Sequence, residues 1–222
     1  TREPQGQYSP SSLQTAKGVE GILLGAYAMI DGQGLDGQDA WNNDIQSWVF
    51  GGIASDDAYK GTDAGDQPEQ SFIEKWDFQP TNNHIKNKWR GLFKGVARTN
   101  DVINTLKNVK DISDDRRKQI IAEARFLRGH YHFEGKKMWN MIPYIDENTY
   151  KRDDPNSTKI PNTADIWANI EKDFSDAAAV LPATQSQKGR ATKWAAMTYV
   201  IAALSSLATL LYYVMLYLGR RE

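Results

Sequence analysis

The sequence predicts a mainly α protein assembled from helical hairpins, and three observations carry that prediction. Apolar residues recur at spacings of three and four in several separate stretches, which is the period of an amphipathic helix. The later stretches follow one another through short connections, so consecutive helices stack side by side as in an α-solenoid. One long stretch, residues 32–79, loses the helical period altogether and reads as an irregular insertion. No consensus repeats between the hairpins, so the arrangement and not an internal period supports the solenoid.

Taken in order, Ser11 and Ser12 offer a cap for a helix whose apolar stripe is Leu13, Ala16, Val19, Leu23, Ala26 and Ile30, and Asp31-Gly32 breaks it. The insertion follows, with Gly32, Gly34, Gly37, Gly51, Gly52, Gly61 and Gly65 set among aromatics that disfavour disorder. Helical spacing resumes at Trp89, Leu92, Phe93, Val96, Ile103 and Leu106. Asn100 shares that face, so its amide is expected to find partners, most simply neighbouring backbone. Ser113 opens the next helix, with Asp114 and Asp115 where negative charge suits the helix dipole. Its stripe is Ile120, Ala124, Leu127, Tyr131 and Met138. Asn162 or Thr163 is expected to cap a helix on Ile166, Ile170, Phe174, Ala177 and Leu181, closed by Pro182. Thr192 or Lys193 opens a last apolar helix. Residues 195–218 are strongly apolar and uncharged, and Arg220 and Arg221 follow, as in a membrane span. A buried helix of the array is the favoured reading of this stretch, ahead of a stretch foreign to the native protein and of a membrane span.

Composition narrows the function. The chain has 222 residues and a net charge of −1, with acidic and basic residues mixed along it, which argues against a nucleic-acid binder. No cysteine is present, so disulfides, thiolate metal sites and cysteine nucleophiles are excluded. Tryptophan occurs at 41, 48, 76, 89, 139, 167 and 194, beside ten tyrosines and seven phenylalanines. Large aromatics dominate ordinary cores, so most of these indoles are expected to be buried.

Motifs of nucleotide binding, serine hydrolysis and zinc proteolysis are absent. His130 and His132 sit two apart, so a helix points them to different faces, and they and His84 read as helix-surface or groove histidines. Asp31, Asp36, Asp39, Asp56, Asp57, Asp63 and Asp66 raise calcium, yet none fits an EF-hand loop. Two carboxylates about 5–9 Å apart would serve glycoside hydrolysis, but acidic residues this common do not single out a pair. The insertion reads better as a binding surface. Trp41, Tyr59 and Trp76 offer flat faces for a sugar ring, and Asp57, Lys60 and Asp66, with Asp63, offer hydrogen-bond partners. The competing reading is a loop folded on its own side chains, with Trp76 as its plug.

Ala122-Glu123-Ala124-Arg125-Phe126-Leu127-Arg128-Gly129, followed by Tyr131-His132-Phe133 and Trp139-Asn140-Met141-Ile142-Pro143, resembles the signature of the SusD/RagB family, the starch-utilisation-type outer-membrane lipoproteins of Bacteroidetes. Leu24-Gly25-Ala26-Tyr27, Ala54-Ser55-Asp56-Asp57, Trp89 with Ala97-Arg98-Thr99-Asn100, and Lys188 to Ala196 match further family segments in order. The resemblance implies a tetratricopeptide-like α-superhelix of helical hairpins with a long irregular insertion. It also implies a non-enzymatic, surface-exposed protein of the outer membrane. Such a protein captures a glycan or peptide ligand, needs no cofactor and works with a SusC-like TonB-dependent transporter. A lipid anchor outside this chain would hold it to the membrane. Family members are longer, so residues 1–222 correspond to one SusD-like domain fragment, an N-terminal half. By the same resemblance the Trp139–Pro143 exit is an internal lock, Arg125 and Arg128 tie helix faces or loop carbonyls together, and ligand contacts fall in residues 32–79. A helical-repeat adaptor that binds only protein, and a glycoside hydrolase, are the competing functions.

Overall fold

A computed structural model describes residues 13–30 and 46–181, within a compact unit that closes at Leu181. Residues 195–218 lie outside the described residues. Among the described residues there is no strand, and the fold is all-α. The helices are α1 (Ala16–Tyr27), α2 (Pro68–Glu74), α3 (Asn83–Leu106), α4 (Asp114–Trp139) and α5 (Trp167–Ala178), and a π-helical turn covers Val49–Ile53.

The long helices pack as hairpins. Residue pairs 89 with 139, 95 with 131 and 100 with 128 meet across α3 and α4, so the two run antiparallel. Pairs 133 with 167, 129 with 174 and 125 with 176 do the same for α4 and α5. Helix α1 lies beside both α3 and α4, through Arg98 Nη1 donating to the Gly25 carbonyl and Tyr131 Oη donating to that of Ala26. The order is therefore two hairpins, α1 with α3 and α4 with α5. The insertion occupies the connection of the first, which is the tetratricopeptide-like arrangement expected.

The apolar stripes meet in one core. Val19, Leu23 and Ala26 of α1 pack with Leu92, Val96, Ile103 and Leu106 of α3 and with Ile120, Ala124, Leu127 and Tyr131 of α4. A second cluster, Ile142, Ile166 and Ile170, joins α5 to the segment after α4. Two caps differ from expectation. Thr15, not the serines before it, caps α1 by accepting from Gly18 N–H at 3.0 Å, and Ser11 and Ser12 lie outside the described residues. Neither Asn162 nor Thr163 caps α5: its N-cap is Ile166, which makes no side-chain cap bond, and Asp165 before it accepts from Trp167 N–H at 3.0 Å. Ser113 caps α4 as expected.

The exit from α4 is a lock, though Pro143 is not what stops the helix. Asn140 takes φ 58°, ψ −72°, and the Met141 N–H reaches back to the Trp139 carbonyl at 2.6 Å, a γ-turn of the rare positive-φ type. The chain then runs extended and buries Ile142 and Ile145. An extended segment buried between helices has backbone groups to satisfy. Two helix side chains do so at Ile145: its N–H donates to His132 Nε2 at 3.2 Å, and its carbonyl accepts from Asn100 Nδ2 at 3.0 Å. Asn100 is thus a backbone tie, as its place on the buried face required. His132 is not a surface or groove histidine but is fully buried, because its ring is this segment's hydrogen-bond partner, and His84 is buried too, against Gln46. Trp139 fills the gap between hairpins, edge-on to Trp89 with ring centroids 5.0 Å apart.

Arg128 ties the hairpins together. Its guanidinium grips Asp173 of α5 at 2.9 and 2.7 Å, donates to Asn100 Oδ1 of α3 at 3.0 Å, and pairs with Glu147 of the following loop. Tyr144 Oη adds a bond to Asp173 at 2.8 Å. Burial opposes the guanidinium charge, yet Asp173 and Glu147 offset it and hold the pKa above its ordinary value. Arg125 reaches Asp176 at 2.8 Å. Both arginines therefore join helix faces through carboxylates.

Candidate functional site

The described part of the insertion, residues 46–79, is less irregular than its sequence. The π-helical turn Val49-Phe50-Gly51-Gly52-Ile53 and the short α2 pack Val49 and Ile53 against Ile73, a small core of its own. A π-turn is uncommon and collects at functional places. The base of the insertion is bolted to the start of α3. His84 Nδ1 meets Gln46 Oε1 at 2.9 Å with both residues buried, and burial holds the His84 pKa below its ordinary value. Asn82 caps α3 through His84 N–H and donates to the Glu69 carbonyl at 3.0 Å, while the Glu69 carboxylate accepts from Asn83.

On this base the backbone is strained at three non-glycine positions with positive φ: Asp56 at 66°, Gln67 at 46° and Trp76 at 55°. Trp76 is the least expected of them, because a bulky side chain rarely takes the left-handed conformation. The cause is the end of α2. The Trp76 N–H bonds to the Ile73 carbonyl at 3.1 Å, and the Asp77 N–H bonds to that of Phe72 at 2.9 Å. This pair of bonds is a Schellman cap, whose left-handed residue is usually glycine. Here it is tryptophan, 71% exposed, with Phe78 beside it at a centroid distance of 6.3 Å. Trp76 is therefore not a plug.

The other expected site residues fall as follows. Tyr59 is 61% exposed, and no ring contact joins it to Trp76 among the described residues. Asp57 is exposed and accepts from Ser55 Oγ at 2.9 Å. Lys60 is half-buried, and its ammonium is turned to the loop itself, donating to the carbonyls of Asp63 (2.8 Å) and Asp66. Asp63 fixes the same loop by accepting from the N–H groups of Gly65 and Asp66. The Asp66 side chain is exposed. Trp41 lies outside the described residues. Phe78, exposed beside Trp76, and Phe72, exposed on α2, were not among the expected contacts, although their spacing from Trp76 along the sequence could have flagged them.

Burial of the tryptophans was overestimated. Trp48, Trp76, Trp89 and Trp167 are exposed and Trp139 is half-buried, because aliphatic residues and Tyr131 fill the helix interfaces. Trp41 and Trp194 lie outside the described residues. A cleft of about 380 Å³ also opens between α3 and the loop after α4, with Trp89, Pro143, Tyr150 and Arg152 in its wall, and holds none of the expected site residues. Among the described residues no three His, Asp or Glu side chains are placed to hold a metal, and no helix is long and apolar enough to cross a membrane.

Residues 49–203 match the sequence model of a SusD-like family described as starch-binding and associating with the outer membrane. A SusD-like protein of Bacteroides ovatus is 31% identical over 123 residues, which cover 54% of this chain and 22% of that protein. The chain thus aligns with well under half of that relative's length.

Proposed function

We propose, from the premise that this chain belongs to the SusD-like family of starch-binding proteins associated with the outer membrane, that it captures a glycan at the cell surface and hands it to a TonB-dependent transporter of the SusC type. Capture, not turnover, is its task. The insertion is the ligand-facing part, with Trp76 as the main stacking face, Tyr59 and Trp41 as further faces, and Asp57 and Asp66 as polar partners. Lys60 shapes the loop that presents Asp66, with two of its three N–H donors already engaged.

One observation supports this most directly: tryptophan sits in the left-handed cap position of α2 and turns its indole to solvent. That conformation costs a side-chain-bearing residue roughly 1–2 kcal/mol, and exposure of the ring returns none of it through burial. A residue that is strained and exposed together is more readily understood by what it binds than by what it stabilises. A sugar ring, with C–H groups on one face and hydroxyls at its rim, suits a flat indole with carboxylates nearby.

Calorimetric titration with maltoheptaose and other neutral oligosaccharides tests the reading, using the native chain and Trp76→Gly. Glycine suits the cap, so the variant should fold with unchanged or slightly higher thermal stability and bind at least tenfold more weakly. Equal affinity would remove Trp76 from the site. A chain that binds no glycan yet co-purifies with the transporter would favour the protein-only adaptor.

A further inference from the structure

The acidic and basic residues are not mixed as evenly as the overall balance implies. Ten carboxylates and two lysines fall between residues 32 and 79, a net charge of −8, while the rest of the chain, with eighteen carboxylates and twenty-five cationic side chains, carries +7. The structure sharpens the contrast. In the helical frame most buried or half-buried carboxylates meet a cation: Glu20 and Glu123 meet Arg116, Asp173 and Glu147 meet Arg128, Asp176 meets Arg125, and Asp101 meets Arg152. Asp146 is held instead by Asn148 and Thr149. In the insertion, among the described residues, no carboxylate has an ion-pair partner. Asp57, Asp63 and Glu69 accept only from hydroxyl, amide or backbone N–H groups. Lys60 spends its ammonium on two backbone carbonyls, and Lys75, the C-cap residue of α2, is the insertion's other cation and is exposed.

We infer that the insertion selects its ligand by charge, admitting uncharged glycans and repelling those that carry carboxylate or sulfate groups. This rests on the glycan-capture reading above and adds the class of glycan. Specificity is a difference of affinities, and a repulsive element against the wrong ligand supplies it as well as an attraction to the right one. Neutral sugars lose nothing here, because carboxylates accept their hydroxyls. A uronate or sulfated ring stacked on Trp76 would place an anion between its chain neighbours Lys75 and Asp77, with Asp57 and Asp66 as its offered polar partners. The excess of carboxylates over the single exposed lysine therefore decides the sign, and no arginine in the insertion receives the anion. Each unscreened like charge some 8 Å away weakens binding about twofold in water, and several together reach tenfold or more.

The test uses a matched pair of probes that differ only in charge: a neutral amylose fragment, and the same fragment with its primary hydroxyls oxidised to carboxylates. The native chain is titrated with both at ionic strengths of about 0.01 M and 1 M, where the screening length falls from roughly 30 Å to 3 Å. The expected result is at least tenfold weaker binding of the oxidised probe at low salt, with the two affinities converging at high salt. Asp56→Asn with Asp77→Asn removes two charges at positions not assigned to ligand contact. It should leave the neutral probe unchanged and improve the oxidised probe about fivefold at low salt. Asparagine also tolerates the positive φ of Asp56. Equal or tighter binding of the oxidised probe at low salt, or a salt-independent difference, overturns charge selection alone. Failure of both probes and of every neutral glycan to bind overturns the capture reading and this inference with it.

Discussion

His132 is neutral in the folded protein because it is wholly buried, and burial pushes its pKa down to about 3 from 6.5. Both ring nitrogens are in use: Nδ1 lies 3.0 Å from the Arg128 carbonyl, which fixes it as the donor, and Nε2 accepts from Ile145 N–H. A proton added at Nε2 would face that N–H and release the Ile145 segment. Between pH 6.5 and about 3 the unfolded chain therefore binds a proton that the native protein refuses, so stability rises with pH through this window and falls on acidification. The slope per site is about 1.4 kcal/mol for each pH unit. Burial gives His84 the same sign, while Asp146 and Glu147, both held below their ordinary values, add theirs only further down. Urea unfolding of the native chain and His132→Gln at several pH values from 6.5 to 5 isolates the histidine. The variant's curve should be flatter by roughly that slope, and parallel curves would place the sensitivity elsewhere. Sequence reasoning missed this residue for a physical reason. Its decisive partner lies 13 residues on, in an extended segment whose burial no local pattern announces. Trp76 was chosen for its aromatic face, but its left-handed backbone was invisible too, since nothing in the sequence replaces the glycine that normally marks such a cap.

At the scale of elements, the close approach of α3 to α4 is set by glycine. A Cβ at Gly95 would stand 2.7 Å from the ring of Tyr131, and that ring cannot swing aside, being buried and held by its hydroxyl on the Ala26 carbonyl at 2.6 Å. Gly95→Ala should destabilise the protein by about 1–3 kcal/mol from overpacking, even though alanine is the better helix former. Gly21 of α1 is the counterpart, with nothing within 4 Å of an added Cβ. Gly21→Ala should stabilise by about 0.5–1 kcal/mol. Thermal denaturation of the two variants checks the opposite signs, and a loss at both positions would mean that propensity and packing are misassigned. The stripes that build these helices were legible because each repeats over three or more turns: Leu92, Val96 and Ile103 on α3, and Ile120, Ala124, Leu127 and Tyr131 on α4, are all buried. The π-turn and α2 were not, since five and seven residues are too few for a period to stand out. The cap at Thr15 and the uncapped start of α5 at Ile166 escaped because several cap-forming residues crowd each helix start, and only tertiary placement decides which, if any, is used.

At the scale of the whole molecule, the described chain has a large core in the hairpins and a small one, Val49, Ile53 and Ile73, in the insertion. The two meet mainly through polar fastenings at the start of α3: Gln46 on His84, Asn82 on the Glu69 backbone, and Glu69 on Asn83. A cluster so small contributes only a few kilocalories by burial, whereas opening α3 or α4 exposes the main core. The insertion should therefore open by itself. Native-state hydrogen exchange should give the α2 amides an opening free energy at least about 2 kcal/mol below that of the α3 and α4 amides. A bound neutral glycan should raise the α2 value and leave the α3 and α4 values, set by global unfolding, to rise by no more than the ligand's own stabilisation. The arrangement has a functional consequence. Binding needs the closed insertion, so affinity is reduced only by the fraction of time it is open. An opening cost of even about 2 kcal/mol keeps that fraction to a few per cent. Strain at Asp56, Gln67 and Trp76 can then sit in the insertion without lowering affinity measurably, while the frame, which holds no proposed contact, supplies the stability. Equal opening free energies for α2 and α3 would refute this division and make the strained cap a cost borne by the whole fold.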